Sequence, residues 1–492
     1  MIPTTSISKE LVGIVRLFAS AKFRVIMIGF FLFFLIDSSL HLVAVDRIIY
    51  SRYYAQGSEL IEFTRPINVS NNPKDSVYAQ IASEGESVYV VWEENDPTPL
   101  EQEQGQEQNN ASFFKNNNDY NIRNYDILLK KSIDGGVSFG KEINLSNNLG
   151  FSEHPQIAVS GEFVHVVWLD NIDSTGKDIL YRKSTDGGKT FSEIINLSNG
   201  TNSVSSKGAA TDYLEIAAEG KNVYAVWQET IPQIADAGDA GDMSSNETPD
   251  TNFMKSNSSI ILRASSDSGN NFREPLVLSN DAFKSYPKIA ASENGGVYLV
   301  WNVGIIREYD TININGEANN NNNNSNTGIF FSRSMDNGNS FAEPIKLSTV
   351  GESIGESQIA ARGNNVYVVW GGNPDEKVVG DLFFTRSIDN GKTFSSPIPL
   401  EEGNALNVEV AADRYNNVYV AWQASLPDGN EEILIKRSSL EGVNFPNEFK
   451  NISVNDGISE CTSISVSDDG TVYLAWEDDT FGNHEILFTK TT

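Results

Sequence analysis

Carboxylates recur at two fixed points of this chain. One set follows apolar segments that end in tryptophan: Glu93 and Glu94 after Trp92, Asp170 after Trp168, Glu229 after Trp227, Glu477 and Asp478 after Trp476. A second set opens the segment that comes next: Asp126, Asp178, Asp381, Glu432 and Glu485. Two carboxylates roughly 5–10 Å apart in a pocket can divide the acid, base and nucleophile roles of glycoside hydrolysis. On that reading Glu93, Asp170, Glu229 and Glu477 are the catalytic candidates. Hard oxygen ligands in loops also suit calcium, although no short loop here has the alternating Asp/Asn-plus-Glu spacing of a calcium cage. The plainest alternative is a solvated acidic rim. A further polar set stands just before an Ile-Ala-like pair: Gln80, Gln156, Glu215, Lys288, Gln358, Glu409 and Ser463. His165 takes a place held elsewhere by Tyr and reads as packing, while His154 and His484 each stand alone. Zinc lacks a ligand set. The single cysteine, Cys461, can form neither an internal disulfide nor a thiolate metal site.

The elements that would position these groups come from a repeat. All seven tryptophans share one context: Val88-Tyr-Val-Val-Trp92, Val164-His-Val-Val-Trp168, Val223-Tyr-Ala-Val-Trp227, Val297-Tyr-Leu-Val-Trp301, Val366-Tyr-Val-Val-Trp370, Val418-Tyr-Val-Ala-Trp422 and Val472-Tyr-Leu-Ala-Trp476. Such β-branched and aromatic runs have the composition of strands buried on both faces. A short strand precedes each, as in Pro155-Gln-Ile-Ala-Val, and a third follows, as in Asp178-Ile-Leu-Tyr-Arg-Lys. A fourth comes after a turn, as in Glu193-Ile-Ile-Asn-Leu-Ser. Four antiparallel strands per unit make one propeller blade, so the fold class is all-β and the architecture a seven-bladed β-propeller. The last unit stops after its third strand, Glu485-Ile-Leu-Phe-Thr-Lys490, and Arg65-Pro-Ile-Asn-Val-Ser70 reads like a fourth. The N-terminal strand is therefore expected to complete the last blade, which leaves no open edge. The polar set from Gln80 to Ser463 then lies on innermost strands near the mouth of the axial channel. Gln80, Gln156, Glu215, Lys288, Gln358 and Glu409 are the ligand-binding candidates, the alternative being solvation of a water-filled channel.

The turn between third and fourth strands has a signature of its own. Ser132-Ile-Asp134-Gly-Gly136-Val-Ser-Phe139 recurs as Ser184 to Phe191, Ser265 to Phe272, Ser334 to Phe341 and Ser387 to Phe394, and Ser438 to Phe445 has Leu440 in place of the Asp. The Asp side chain can accept from following backbone N–H groups, the Gly supplies a positive φ, and the Phe can fill the space between blades. This Ser-x-Asp-x-Gly-x-x-Phe pattern resembles the Asp box, or BNR repeat, of the sialidase-like propellers, from about residue 65 onward. The resemblance implies that Asp134, Asp186, Asp267, Asp336 and Asp389 are structural and face away from the ligand. It also implies a test, because active sialidases bind the sugar carboxylate with three arginines and use a Tyr nucleophile with a Glu partner and a separate Asp acid. The inner-strand elements here read Gln80-Ile-Ala, Gln156-Ile-Ala and Glu215-Ile-Ala, where the family carries Arg-Ile-Pro. Arg182, Arg263, Arg333, Arg386 and Arg437 precede the turns, at the other end, and no catalytic residue is carried over. Catalytic sialidases also have six blades rather than seven.

Length variation marks a working face. Trp92 to Asp134 spans 42 residues, Trp227 to Asp267 40 and Trp301 to Asp336 35, against 18 from Trp168 to Asp186. The excess lies between second and third strands, in the polar segments Glu101 to Asp119, Ala235 to Asn257 and Asn319 to Asn326. Such segments bury too little apolar surface to order themselves, and their loops emerge opposite the Asp turns. Sequons at Asn110, Asn199, Asn246, Asn257 and Asn323 make glycosylation an option there.

Composition sets the setting. Sixty-six acidic residues against 36 basic ones give a net charge of -30, which repels nucleic acid and anionic lipid. Lys9, Arg16, Lys22 and Arg24 flank an unbroken apolar run from Val25 to Ile36, with a less apolar stretch to Val45. The expected organisation is a basic cytoplasmic segment (1–22), a signal anchor or signal peptide (23–45), a linker (46–64) and a propeller (65–492). The propeller then lies on the extracellular side of the membrane, anchored by one hydrophobic helix or secreted if the leader is cleaved. A monomer is expected. Two functions fit: a non-catalytic module binding glycan, protein or a cation through the insertion-bearing face, or a divergent glycoside hydrolase or lyase using carboxylates there.

Overall fold

A computed structural model describes residues 61–492 apart from 97–123, 149, 172–176, 199–209, 233–255, 280–285, 304–327, 349–354, 372–380, 402, 404, 427–428 and 440. The chain divides into two units, Met1–Leu60 and Ile61–Thr492. The first, with the basic segment, the expected hydrophobic anchor segment and most of the linker, lies outside the described residues. So do nearly all of the polar insertions, the sequons at Asn110, Asn199, Asn246 and Asn323, and Leu440.

The second unit is seven four-stranded antiparallel sheets. Blade 1 runs Asp75–Glu84, Ser87–Asp96, Asn124–Ser132, Ile143–Asn144; blade 2 Ser152–Ser160, Phe163–Asp170, Asp178–Ser184, Ile195–Asn196. Blade 3 is Ala210–Glu219, Asn222–Pro232, Ser256–Ser265, Leu276–Ser279; blade 4 Lys288–Ala291, Val297–Val303, Gly328–Ser334, Ile345–Lys346. Blade 5 is Ser357–Arg362, Asn365–Trp370, Leu382–Ser387, Ile398–Glu401; blade 6 Leu406–Ala412, Val418–Ser425, Glu431–Ser438, Lys450–Asn451. Blade 7 has Ser459–Val466, Val472–Asp478 and Glu485–Lys490, and its outer strand is Ile67–Asn68, paired as Ile67 with Phe488 and Asn68 with Leu487. The closing ladder starts slightly earlier than the expected boundary at residue 65: Thr64 N–H donates to Lys490 O (2.8 Å) and Thr492 N–H to Glu62 O (3.0 Å). No helix among the described residues is long and apolar enough to cross a membrane.

The tryptophan strands are the core. Trp92, Trp168, Trp227, Trp370, Trp422 and Trp476 are fully buried and Trp301 nearly so. Each packs into a cluster shared with the preceding blade: Trp168 against Tyr89, Val91 and Leu129, Trp227 against Val167, Leu169 and Tyr181. Trp92 closes the ring by packing with Tyr473 and Phe488 of blade 7. The alternation is lost on these strands because both faces meet a neighbouring sheet. His165 is buried in its blade with Nδ1 2.7 Å from Tyr181 Oη, and burial pushes its pKa down to about 3.

At one end of the propeller the Ser-x-Asp turns repeat the same bonds. Ser184 Oγ donates to Asp186 Oδ1 (2.7 Å), Thr190 N–H donates to Oδ1 (2.9 Å) and Thr190 Oγ1 to Oδ2 (2.6 Å). Asp134, Asp267, Asp336 and Asp389 make the equivalent set. The residue after each Asp has positive φ, from 57° at Asn337 to 68° at Gly187, and the decayed turn keeps it at Glu441 (61°). That conformation turns a carbonyl outward, and a cation of the preceding blade takes it. Lys131 donates to Gly187 O, Lys183 to Ser268 O, Arg333 to Asn390 O, Arg386 to Glu441 O and Lys490 to Gly135 O, at 2.6–3.0 Å. Blade 3 has Ala264 at the donor position, and Arg273 substitutes by reaching Asn337 O (3.3 Å). The turn phenylalanines add edge-on ring contacts to the preceding blade, Phe139 to Phe488 and Phe272 to Tyr181. This end is a fastening between blades.

Candidate functional site

At the other end of the axis the innermost strands begin, and most of them begin with a defect. The register slips just before Gln80, Gln156, Glu215, Glu409 and Ser463, and the residue two places earlier sits in the left-handed region. These are Tyr78 (φ 52°), His154 (51°), Tyr213 (54°), Asn407 (45°) and Cys461 (48°); Tyr286 (31°) holds the same place before Lys288. Bulky residues adopt this conformation at a cost of roughly 1–3 kcal/mol each. A bulge re-aims a side chain, and these side chains converge. Tyr78, His154, Tyr213, Tyr286, Asn407 and Cys461, with Glu356 from blade 5, line a cavity of about 340 Å³ together with Gln80, Gln156, Lys288 and Glu409.

The mouth is divided. Its blade 1–4 side is aromatic, with Tyr78 edge-on to His154 (centroids 4.5 Å) and Tyr213 tilted against Tyr286 (3.9 Å). Its blade 5–7 side is polar, with Glu356, Ser357, Asn407, Cys461 and Thr462. Beneath both, the inner-strand ring is joined by its own bonds. Lys288 Nζ lies 2.8 Å from Glu215 Oε2, Gln358 Nε2 donates to Glu409 Oε1 (3.1 Å), and Ser463 Oγ donates to Gln80 Oε1 (3.1 Å). Burial pushes Glu409 up to about 8 against the pull of Lys288. Burial works to lower Lys288, but Glu215 and Glu409 outweigh it and its pKa is raised.

The carboxylates that follow each tryptophan separate into two kinds. At the second place after Trp, the side chain ties the blade together. Asp170 accepts from Trp168 Nε1 (3.2 Å), Ser152 Oγ (2.7 Å) and Asn148 Nδ2 (2.8 Å). Asp478 does the same with Trp476, Ser459 and Asn455, and Glu94 with Trp92, Ser76 and Asn72. Glu229 holds the matching place in blade 3 and is buried. At the first place after Trp, the side chain reaches the next blade and caps its bulge. His154 N–H donates to Glu93 Oε2 (3.2 Å), Tyr78 N–H to Glu477 Oε1 (2.9 Å) and Cys461 N–H to Gln423 Oε1 (3.4 Å). Burial pushes Glu93 up to about 8 and raises Glu477 as well.

A solvated acidic rim is therefore not what the chain builds: Glu93, Glu94, Asp170, Glu229, Glu432, Glu477, Asp478 and Glu485 are all buried. The third-strand openers Asp126 and Asp178 accept from Ser146 and Ser198, two residues past their outer strands (2.9 Å each), and Glu432 and Glu485 from Ser453 and Ser70. Nor does His154 stand alone, since it joins Tyr78 at the mouth, and His484 Nδ1 lies 4.0 Å from Glu477. The seven-fold alignment picks out the inner ring but passes over the residues two places before it. Their signal was available: an aromatic or polar residue at that offset in every unit, on a strand whose next apolar position already faces the core.

No arginine lines the cavity among the described residues, and no group of three His, Cys, Asp or Glu there could hold a metal ion. No protein-family model and no curated protein sequence matches the chain. Solved structures that align with it include a protein of unknown function from Dyadobacter fermentans, at 10% identity and TM-score 0.46 over 87% of this chain and 98% of that one. A Hadza microbial sialidase aligns at 13% identity and TM-score 0.42, covering 74% and 73%. The NanB sialidase of Streptococcus pneumoniae aligns at 10% and 0.44, covering 74% and 73%. The architecture rests on the seven sheets themselves.

Proposed function

We propose that this chain is an exported, sialidase-like propeller with Asp-box turns, anchored through its N-terminal hydrophobic segment, that binds a ligand at the axial mouth without transforming it. The observation that carries this reading is the ring of left-handed residues. Strain in six of seven inner strands has no packing benefit at the turn end, and it directs Tyr78, His154, Tyr213, Tyr286, Asn407 and Cys461 into one cavity. Strained backbone held in place around a cavity is the mark of a site.

The chemistry of the lining argues against turnover. A nucleophilic tyrosine needs a lowered pKa or an adjacent base that takes its proton. Burial first, then Cys461 and the acids Glu477, Glu93 and Glu153, push Tyr78 the other way, up to about 12. Among the described residues the cavity also has no arginine fork of the kind that holds a sugar carboxylate. Asp170 is committed to three bonds inside its blade.

A glycosidase is the second reading, and one observation favours it. Glu93 lies beneath the mouth with its pKa pushed to about 8, the state of a general acid at neutral pH. Glycan-array binding beside a fluorogenic glycosidase panel, with and without calcium, separates the two. The binding reading expects capture without turnover, lost on Tyr286→Ala. Hydrolysis lost on Glu93→Gln would establish the enzyme instead.

A further inference from the structure

We propose that the ligand group bound at the mouth is an organic ammonium ion, either a small alkylamine or the side chain of a lysine presented by another protein. The inference rests on the binding reading above and names its chemistry.

Three features of the cavity carry it. The aromatic side offers Tyr78, His154, Tyr213 and Tyr286, with Tyr78 and Tyr213 each about 40% exposed, and a tyrosine face attracts a cation by its ring quadrupole. The opposite side and floor carry Glu356 and Glu409, while the one lining ammonium among the described residues, Lys288, is already paired with Glu215. Among the described residues Glu356 makes no side-chain hydrogen bond, and it shares the charge of Lys288 with Glu215 and Glu409, so three carboxylates stand against one ammonium around the cavity. Two buried hydroxyls in the lining, Ser357 Oγ and Thr462 Oγ1, also lack a hydrogen-bond partner. They are 1% and 4% exposed, and an N–H donor entering the cavity would satisfy them.

The alternatives fit less well. A neutral sugar ring would stack on the tyrosines but leave the carboxylate charge unanswered. A carboxylate such as sialic acid meets the wrong sign of charge on a chain of net charge -30. A bare metal ion finds no three-ligand set among the described residues, and about 340 Å³ suits a small organic group.

Calorimetric titration of the full chain in mild detergent tests this. The probes are tetramethylammonium, n-butylamine, a lysine-containing peptide, the same peptide with acetylated lysine, glucose and N-acetylneuraminic acid. The expected result is binding by at least one ammonium probe and none by the acetylated peptide, glucose or sialic acid. A free amine that outcompetes the peptide identifies a small-molecule ligand, and the reverse identifies a protein. Glu356→Gln and Tyr286→Ala should each weaken binding by roughly tenfold, the ratio that 1.4 kcal/mol represents. Tyr286→Phe, which keeps the ring, should retain affinity. Glucose or sialic acid binding that is lost in Tyr286→Ala would overturn the ammonium assignment and leave the binding reading standing. Ammonium binding unchanged in both variants overturns the assignment too. No binding by any probe would overturn the ammonium assignment, and the binding reading then stands or falls on the glycan array.

Discussion

The two ends of this propeller are built from the same seven strands-and-turns, yet they use repetition in opposite ways. At the turn end the repeat keeps residue identity: Ser, Asp, Gly and Phe return in place, and each makes the same bond or ring contact. Where one residue is lost, as at Ala264, another, Arg273, restores the bond. At the mouth the repeat keeps position and discards identity: Tyr, His, Tyr, Tyr, Glu, Asn and Cys occupy one structural place. A site that only fastens blades gains from sameness, whereas a site that must match an asymmetric ligand gains from seven independent choices. The backbone supports the contrast. Positive φ at the turns falls on Gly, Asn or Ser in five of the six, while at the mouth it falls mostly on residues that adopt it reluctantly.

The comparison can be broken by mutation. The largest effect belongs to neither end but to the core that joins them: Trp168→Ala should cost about 3–5 kcal/mol by denaturant unfolding. A turn-end glycine comes next. Gly188→Ala would place a Cβ 2.9 Å from Tyr89 at φ 81°, and a loss of roughly 1–3 kcal/mol with unchanged ligand affinity is expected. An equal loss of affinity would show that the two ends are coupled.

Stability against pH separates the ends by sign. Glu93 and Glu409 have folded pKa values near 8, above their unfolded value of 4.5, so their contribution is complete below about 4.5 and is lost as pH rises through 8. Glu93→Gln should flatten that alkaline limb, which is on the order of 1–3 kcal/mol, measured by urea midpoint from pH 5 to 9. Asp267 is held at about 2 by its turn bonds to Asn271 and Ser265, below the ordinary 3.8. Its contribution is present above 3.8 and is lost as pH falls through 2, so Asp267→Asn should change only the acid limb. A variant at one end that moved the other end's limb would contradict the division.

Much of this was legible in the residues. Seven tryptophans in one context establish blade number because a β-branched strand buried on both faces has few other homes, and Arg65-Pro-Ile-Asn-Val-Ser70 betrays the closing strand by its likeness to other fourth strands. The turns were readable because Asp, Gly and Phe each have a local job that sequence spacing defines. The mouth was readable only in part. Gln80 to Glu409 follow from alignment on the Ile-Ala pair, but the bulge that swings Tyr78 or His154 inward depends on register, which composition does not report. The acids misled for a related reason. Asp170 stands two residues and Glu93 one residue after its tryptophan, and successive strand residues point to opposite faces, so one serves its own blade and the other the next.

The central claim is that the left-handed ring is kept for what it presents to the cavity, at some expense to the fold. Tyr78→Gly tests it without reference to any ligand. At φ 52° glycine relieves the strain that tyrosine bears, and Tyr78 is already 42% exposed, so little burial is lost. Denaturant unfolding of this variant should give a stability within about 1 kcal/mol of the parent chain, or above it. A loss of 3 kcal/mol or more, in the range of a core tryptophan, would mean that the ring serves the fold and that the cavity is its by-product.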